Sequence, residues 1–195
     1  MKKIIALLLI LTLFSFTLSG CATMKGTGTG AAIGAGTGAV IGAIFGKGKG
    51  ALIGAAAGAL LGAVVGNYYD RQVASRAETV SKYNLATNED KFQIEKSSTT
   101  PQEIPLGSEF KTNVQYALIL PNPSLKPKVT ESRFIAIGND VLKLSERTVV
   151  VNQGTNESTA SITMPQDLEK GDYELITVIS DGKREITVKD PLRVV

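Results

Sequence analysis

The chain contains a single cysteine, Cys21, and neither histidine nor tryptophan. A thiol can carry a covalent group, but one cysteine excludes a disulfide framework within the chain. The missing histidines exclude Cys/His metal sites and histidine-based triads. We therefore predict no catalytic residue and no metal site. Upstream of Cys21, Lys2 and Lys3 precede an apolar run from Ile4 to Phe16 and then small residues, which is the layout of a secretory signal.

The residues around the cysteine resemble the lipobox of bacterial lipoproteins: Leu18, Ser19, Gly20 and Cys21. The resemblance implies cleavage after Gly20, a diacylglyceryl thioether on Cys21, and a triply acylated mature N-terminus, with no cofactor besides this lipid. Ala22, in place of an aspartate, favours sorting to the outer membrane. The alternative is a transmembrane anchor with an incidental cysteine, although the apolar run is shorter than the ~20 residues that an anchor needs.

The composition changes after Gly66, since all 18 acidic residues follow it. The formal net charge of +3 includes Lys2 and Lys3 of the signal, so the mature chain is close to neutral. A nearly neutral chain lacks the excess of basic residues that is typical of nucleic-acid binding, so we expect no nucleic-acid partner.

Glycine recurs at every fourth position through the apolar part of the chain. The glycines that we predict to pack helices are Gly34, Gly38, Gly42, Gly46, Gly50, Gly54, Gly58, Gly62 and Gly66. On a helix this spacing makes one slowly winding row of small residues, which lets membrane helices approach closely. Close packing then offsets the cost of about 1 kcal/mol that glycine carries in a helix relative to alanine.

Two apolar segments, residues 31–46 and 51–66, flank a charged glycine turn. Each would be ~24 Å long as a helix, and the bacterial outer membrane is thinner than average. A two-span hairpin would place the lipid and the C-terminal part on the same, periplasmic side. Lys47 and Lys49 in the turn are either simply solvated or contact lipopolysaccharide phosphates. A flexible Gly/Ala spacer is the alternative to the hairpin.

A lipobox followed by two such segments resembles the glycine-zipper two-transmembrane lipoproteins, including the rickettsial surface-antigen type. The sequence GNYYDRQ, residues 66–72, is similar to the tyrosine-rich exit of zipper lipoproteins that carry an OmpA-like domain. The resemblance covers roughly residues 18–75. It implies an outer-membrane lipoprotein that forms homo-oligomers and supports envelope integrity. The later residues lack an OmpA-like peptidoglycan-binding pattern.

Residues 67–90 predict a helical connector, with Val73, Ala77 and Val80 along one face. After residue 90 the apolar period changes to two, which is typical of strands. Turn residues separate the runs, as at Asp181-Gly182, which suits a type I′ hairpin. Seven or eight short strands in about a hundred residues predict an immunoglobulin-like antiparallel β-sandwich. The strand-like runs contain Phe92 and Ile94 or span 110–120, 129–137, 141–144, 148–151, 158–164, 173–179 and 184–188.

The stretch from Leu168 to Tyr173 resembles the turn before strand F of immunoglobulin-like folds, which implies that Tyr173 forms a structural tyrosine corner. Charged residues are scattered through this region. We interpret Glu131 with Arg133, and the neighbouring residues 183–185, as cross-strand charge pairs rather than general acids or bases.

The sequence thus predicts an α + all-β chain in five parts. They are a lipoprotein signal peptide (1–20), a lipidated Gly/Thr-rich linker (21–30), a glycine-zipper helical hairpin (31–66), a helical connector (67–90) and the sandwich (91–195). We expect a non-enzymatic outer-membrane lipoprotein whose hairpin inserts and oligomerises and whose sandwich faces the periplasm. The alternative is a lipid-tethered binding module that captures an envelope protein. The expected partners are the membrane, further copies of the chain, and lipopolysaccharide or an envelope protein.

Overall fold

The computed structural model describes residues 65–138 and 140–195, which are mostly β-sheet with one short helix. The lipobox and the glycine hairpin before residue 65 lie outside these ranges. The helix is α1 (Arg76–Tyr83). The strands are β1 (Val65–Ser75), β2 (Lys91–Thr100), β3 (Glu103–Ile104), β4 (Glu109–Ile119), β5 (Lys128–Ile137), β6 (Asp140–Val150), β7 (Gly154–Thr163), β8 (Gly171–Ser180) and β9 (Glu185–Val194).

The strands form two sheets that pack face to face. The four-stranded sheet has the order β1-β7-β4-β2, and the five-stranded sheet has the order β3-β9-β8-β5-β6. Neighbouring strands pair antiparallel, except that β3 runs parallel to β9. Each sheet buries one face against the other, so the described part of the chain is a β-sandwich.

The interior between the sheets contains two apolar clusters. One includes Ile162 of β7 and Ile135 of β5, and the other includes Leu118 of β4 and Val129 of β5. Between Val129 and Ile135, the inward-facing positions of β5 carry the charged residues Glu131 and Arg133. The core is therefore apolar toward both ends and charged in its middle.

The residues after the glycine ladder form a strand where the sequence predicts a helix. β1 pairs antiparallel with β7 from Tyr68 opposite Ala160 to Ser75 opposite Gly154. The predicted helical connector over 67–90 is therefore wrong for residues 67–75, and of the remainder only Arg76–Tyr83 is helical. The local sequence is compatible with either a helix or a strand. β7 favours the strand, because its backbone provides hydrogen-bond partners along one edge. The sandwich begins at Val65 rather than at residue 91.

Helix α1 has a start signal that the sequence carries in full. Ser75 is its N-cap, and with Glu78 it forms a capping box, in which each side chain meets the other residue's backbone N–H. The helix ends at Asn84, whose φ of 51° is left-handed. Glu95 on β2 holds the last turn, since it accepts hydrogen bonds from Tyr83 Oη (2.8 Å) and pairs with Lys82 Nζ (2.8 Å).

The later strands follow the predicted runs in outline, although β3 has no predicted counterpart and β9 continues past residue 188 to Val194. The runs at 141–144 and 148–151 belong to one continuous strand, β6, which contains a bulge opposite Arg133 and Phe134. The β8–β9 connection spans four residues, 181–184, instead of a two-residue turn. Asp181 organises it, because its carboxylate accepts hydrogen bonds from the backbone N–H groups of Lys183 and Arg184.

Candidate functional site

Most of the residues singled out by the sequence precede residue 65. Cys21 with its lipobox, the turn residues Lys47 and Lys49, and the ladder from Gly34 to Gly62 lie outside the described residues. Gly66 and Tyr173 lie inside, on β1 of the four-stranded sheet and on β8 of the five-stranded sheet, respectively.

Gly66, predicted as a helix-packing glycine, lies in β1 and not in a helix. A Cβ at this position would lie 3.3 Å from the carbonyl oxygen of Ser161 on β7. This is closer than ordinary van der Waals contact, so a side chain here would press on the neighbouring backbone. The last glycine of the ladder therefore permits close strand pairing.

The hydroxyl of Tyr173 donates a hydrogen bond of 2.8 Å to the backbone carbonyl of Glu169, four residues upstream. The bond spans the loop that enters β8, and it is the kind of contact that a tyrosine corner makes. Tyr173 also borders a cleft of about 400 Å³ beside Glu103 and Arg193. The hydrogen-bond partner of the Tyr173 hydroxyl is thus the backbone of its own chain.

The densest side-chain network is a charged cluster of Asp70, Glu131, Arg133 and Arg147, which joins β1 of one sheet to β5 and β6 of the other. Glu131, 1% exposed, is its centre. One carboxylate oxygen accepts hydrogen bonds from Arg147 Nη2 (2.8 Å) and Ser158 Oγ (2.6 Å). Tyr116 Oη lies 3.4 Å from the other oxygen. The cluster therefore links the two sheets through the interior.

Arg133 is the least accessible charge in the cluster, at 0% exposure. Its Nη2 donates to Ser158 Oγ (3.3 Å), and its Nη1 lies 3.8 Å from a carboxylate oxygen of Glu131. Among the described residues, its Nε and Nη1 have no hydrogen-bond partner. Because a buried unpaired charge is costly, Arg133 depends on Glu131 for compensation.

The first strand after the glycine ladder attaches to this cluster by two side chains. Arg147 stacks on the ring of Tyr68, with 4.0 Å between its guanidinium carbon and the ring centroid, and it also binds the carboxylate of Asp70. On the other face of β1, Tyr69 is 64% exposed. Alternate residues of β1 thus point into the sandwich and out to solvent.

The electrostatics of the cluster follow from its burial. Removal from water lowers the pKa of Arg133 below its ordinary value, although the charge of Glu131 opposes this effect. Burial alone would lower the pKa of Arg147. Hydrogen bonds and charge from Asp70 and Glu131 outweigh this effect and raise the pKa overall. Burial, reinforced by Glu131, raises the pKa of Tyr116 far above its ordinary value. Tyr116 therefore stays protonated and acts as a donor.

The two arginines and two carboxylates balance formally. A balanced and mutually hydrogen-bonded set suits the fixing of strands, because each charge is compensated by another member of the cluster. The arrangement can therefore hold β1, the strand that directly follows the glycine ladder, against the sandwich.

Only part of this cluster is predicted from the sequence. The predicted pairing of Glu131 with Arg133 is a weak contact along one strand, whereas the cross-strand partner of Glu131 is Arg147. Asp70 lies far away in sequence within a predicted helix, so no local spacing could join it to Arg147. At 183–185, Arg184 pairs with Asp181 and Asp90, and Glu185 makes no ion pair within the described part of the chain.

Beside the cluster, a cleft of about 150 Å³ separates the edges of β1 and β6. Asp70 and Gln72 line one wall, and Val149 and Val151 line the other. Val73 on β1 and Val150 on β6 are 44% and 59% exposed, respectively. The two strand edges here are thus open and carry apolar side chains.

The described ranges contain neither a metal-binding cluster nor a membrane-spanning helix. Within 65–138 and 140–195, no three His, Cys, Asp or Glu side chains are placed to hold a metal ion. No helix in these ranges is long and apolar enough to cross a membrane.

Comparison with protein families gives one match: the YMGG-like Gly-zipper family model matches residues 1–70. This match indicates a membrane-associated protein. Its last residues, 65–70, lie in β1. No curated protein matches the chain.

Solved structures resemble the sandwich at low similarity. A β-glucosidase from Listeria innocua in complex with glucose is 14% identical with a TM-score of 0.39, over 54% of this chain and 16% of that one. A Niemann-Pick type C2 protein from Japanese carpenter ant is 9% identical with a TM-score of 0.41, over 55% and 96%. A CARDB domain from Pyrococcus furiosus in complex with di-metal ions is 12% identical with a TM-score of 0.40, over 57% and 94%. The chain thus spans a small fraction of the glucosidase.

Proposed function

We propose that this chain is a non-enzymatic outer-membrane lipoprotein whose glycine-zipper hairpin inserts in the membrane and oligomerises. The sandwich would then face the periplasm, and the assembly would support envelope integrity. The Gly-zipper match over residues 1–70 and the lipobox ending at Cys21 support this proposal. Each buried methylene of an acyl chain adds ~0.8 kcal/mol, so several chains on Cys21 would anchor the protein stably.

One observation carries the proposal: the Gly-zipper match and the first strand of the sandwich overlap in sequence. The family match extends to residue 70, whereas β1 already begins at Val65. Tyr68 and Asp70 then fix β1 through Arg147. An assembly of hairpins would therefore set the spacing of its sandwiches, as expected of a scaffold and not of a loosely tethered module.

We further propose that the sandwich is immunoglobulin-like. Two packed antiparallel sheets and the Tyr173 bond to Glu169 support this assignment. The assignment implies no ligand, because such sandwiches host many functions.

A second candidate function is a binding module that captures an envelope protein by strand addition. The open edges of β1 and β6, with exposed Val73 and Val150, favour it. An extended peptide could pair with one edge and place apolar side chains beside these valines. In this case the hairpin and the lipid would serve only as an anchor.

Alkaline carbonate extraction tests the membrane insertion. A Cys21→Ser chain, exported by an ordinary cleavable signal sequence, should stay in the membrane pellet and float with lipid in a density gradient. Flotation separates inserted protein from sedimenting aggregates. Release of a soluble protein would show that the lipid alone is the anchor, and would direct attention to what the sandwich binds.

Substitution of ladder glycines separates the two functions. Gly42→Ile with Gly58→Ile should abolish oligomers detected by chemical cross-linking, because the branched side chains keep the helices apart. Ala43→Ile with Ala59→Ile adds similar bulk outside the ladder and serves as the matched control. Unchanged oligomers in the glycine variant would favour the binding module.

A further inference from the structure

The middle of the outer face of the five-stranded sheet is mostly apolar and buried. Phe134 and Ile176 are cross-strand partners on β5 and β8, and so are Ser132 and Val178. Their neighbours Ile135 and Leu175 lie in the interior cluster, so these four side chains point away from the other sheet. All four are 0% exposed. An outer face of a two-layer sandwich ordinarily meets water, and such burial requires a third layer.

The described part of the chain does not provide that layer. Helix α1 packs on β7, β1 and β4, which belong to the other sheet. The connections at 120–127 and 164–170 pass between the two sheets, so they lie at the ends of the sandwich.

Ion pairs flank the buried strip on both sides. The ion pair of Lys143 with Glu146 (3.0 Å) lies on the β6 side, and that of Lys189 with Glu174 (2.8 Å) lies toward β9. Glu185 is at one end of the strip, and burial raises its pKa above the ordinary value. One of its carboxylate oxygens is buried without a hydrogen-bond partner among the described residues. A buried apolar strip between charged residues suits the binding of an apolar segment with small side chains.

We propose that the chain's own glycine-zipper segment, residues 31–64, docks on this outer face. The segment joins β1 directly at Val65. The two sheets are about 10 Å apart, a distance that three or four extended residues can span. Residues 31–64 contain large apolar side chains, no acidic residue and only Lys47 and Lys49 as charges. Glycine and alanine between the large residues permit close contact with the sheet.

The tether favours this segment over a second copy of the chain. A segment attached at Val65 has a high effective concentration at the face, whereas a second copy must first lose its translational freedom. An intramolecular cover also leaves the ion pairs at the rim in contact with water.

Docking would keep the zipper away from water until it enters a membrane, and insertion would uncover the outer face. This exchange rests on the proposed function, but the docking itself does not. The sandwich would thereby act as an intramolecular chaperone for the segment that precedes it.

Disulfide formation between introduced cysteines tests the docking. In the Cys21→Ser chain, Val178→Cys is combined in turn with Ala39→Cys, Ala43→Cys, Ala55→Cys or Ala59→Cys, and mild oxidation follows in the absence of lipid. Thr187→Cys, at the cross-strand neighbour of Val178, replaces Val178→Cys if that variant fails to fold. Ser98→Cys is the matched control, because Ser98 is exposed on the other sheet.

The proposal predicts a disulfide within one chain at position 178 or 187 for at least one zipper position, and none at 98. Disulfides only between two chains would overturn it in favour of a second copy. Equal cross-linking at 98 and 178 would also overturn it. So would the lack of any disulfide, whether the cysteine at 178 reacts with maleimide or stays protected.

Lipid vesicles added to the same variants separate this inference from the proposed function. Loss of the disulfide together with carbonate-resistant binding to vesicles supports both. A persistent disulfide without such binding supports the docking and contradicts membrane insertion. Carbonate-resistant binding with no disulfide before lipid is added contradicts the docking alone.

Discussion

Arg147 stacks on Tyr68 at 4.0 Å and binds Asp70 two residues further along the same strand. The Arg147 side chain, from the five-stranded sheet, thus contacts the first strand of the four-stranded sheet through the ring of Tyr68 and the carboxylate of Asp70. The glycine ladder ends at Gly66, immediately before these contacts. Arg147 therefore adds a side-chain connection between the start of β1 and the five-stranded sheet to the backbone pairing of β1 with β7.

Tyr68→Leu should lower the free energy of unfolding by about 1–2 kcal/mol, because leucine keeps apolar contacts but loses the cation–π interaction. Tyr68→Phe should be nearly neutral, since the Tyr68 hydroxyl is buried and has no hydrogen-bond partner in the described part of the chain. Urea unfolding of the Cys21→Ser chain measures both variants. Equal losses for Leu and Phe would show that the ring stacking contributes nothing.

Glu131→Gln should destabilise the protein by about 3–5 kcal/mol, because Arg133 would stay buried without its counter-charge. The same urea experiment measures this change. Asp172→Asn, which breaks the exposed pair with Arg193, is the control and should have little effect. A Glu131 variant as stable as that control would show that water compensates Arg133.

Glu95 should make the attachment of α1 sensitive to acid. Burial pushes its pKa upward, but hydrogen bonds from Lys82, Tyr83 and Thr155 together lower it below the ordinary 4.5. A lowered folded-state pKa means that the contribution to stability is complete above 4.5 and is lost as pH falls through the folded value.

Hydrogen exchange of α1, measured from neutral to acidic pH, should therefore show loss of protection in acid. Glu95→Gln should weaken this pH dependence and reduce protection at neutral pH. If α1 in the Gln variant responds to acid as in the parent chain, another carboxylate, such as Glu78 of the capping box, governs the transition.

Gly154→Ala should be severely destabilising. Gly154 has a φ of +139°, and a Cβ there would lie 2.3 Å from the carbonyl oxygen of Ala74, so β1 would have to move. Gly138→Ala is the matched control, because Gly138 has a φ of +59° with nothing within 4 Å of its Cβ. The control should lose about 1 kcal/mol from backbone strain alone. Thermal unfolding compares them, and similar losses would contradict the steric argument.

Sorting should depend on the low hydrophobicity of the zipper. Leucine favours retention of a helix in the inner membrane, whereas glycine and alanine dilute this tendency. Leucine at Gly38, Gly42, Gly58 and Gly62 together should trap the protein there, as sucrose-gradient fractionation of membranes would show. Unchanged fractionation would refute the idea that marginal hydrophobicity permits export.

Most of the sandwich could be predicted from the sequence. Period-two apolar runs with turn residues between them anticipated the strands from β2 onward except β3, because the alternation records which face of a strand is buried. The capping box of Ser75 and Glu78 is a local signal for the start of α1, although the predicted helix begins at residue 67. Composition alone excluded intrachain disulfides and histidine chemistry, since the residues are absent.

Only the tertiary structure decided β1 and the charged cluster. Residues 67–73 suit a helix or a strand, and the free edge of β7, about ninety residues away, selects the strand. The pairing of Asp70 with Arg147, and the burial of Arg133, depend on how the two sheets face each other. Local sequence determines periodicity and turns, whereas contacts between distant segments depend on register and packing, which no short stretch encodes.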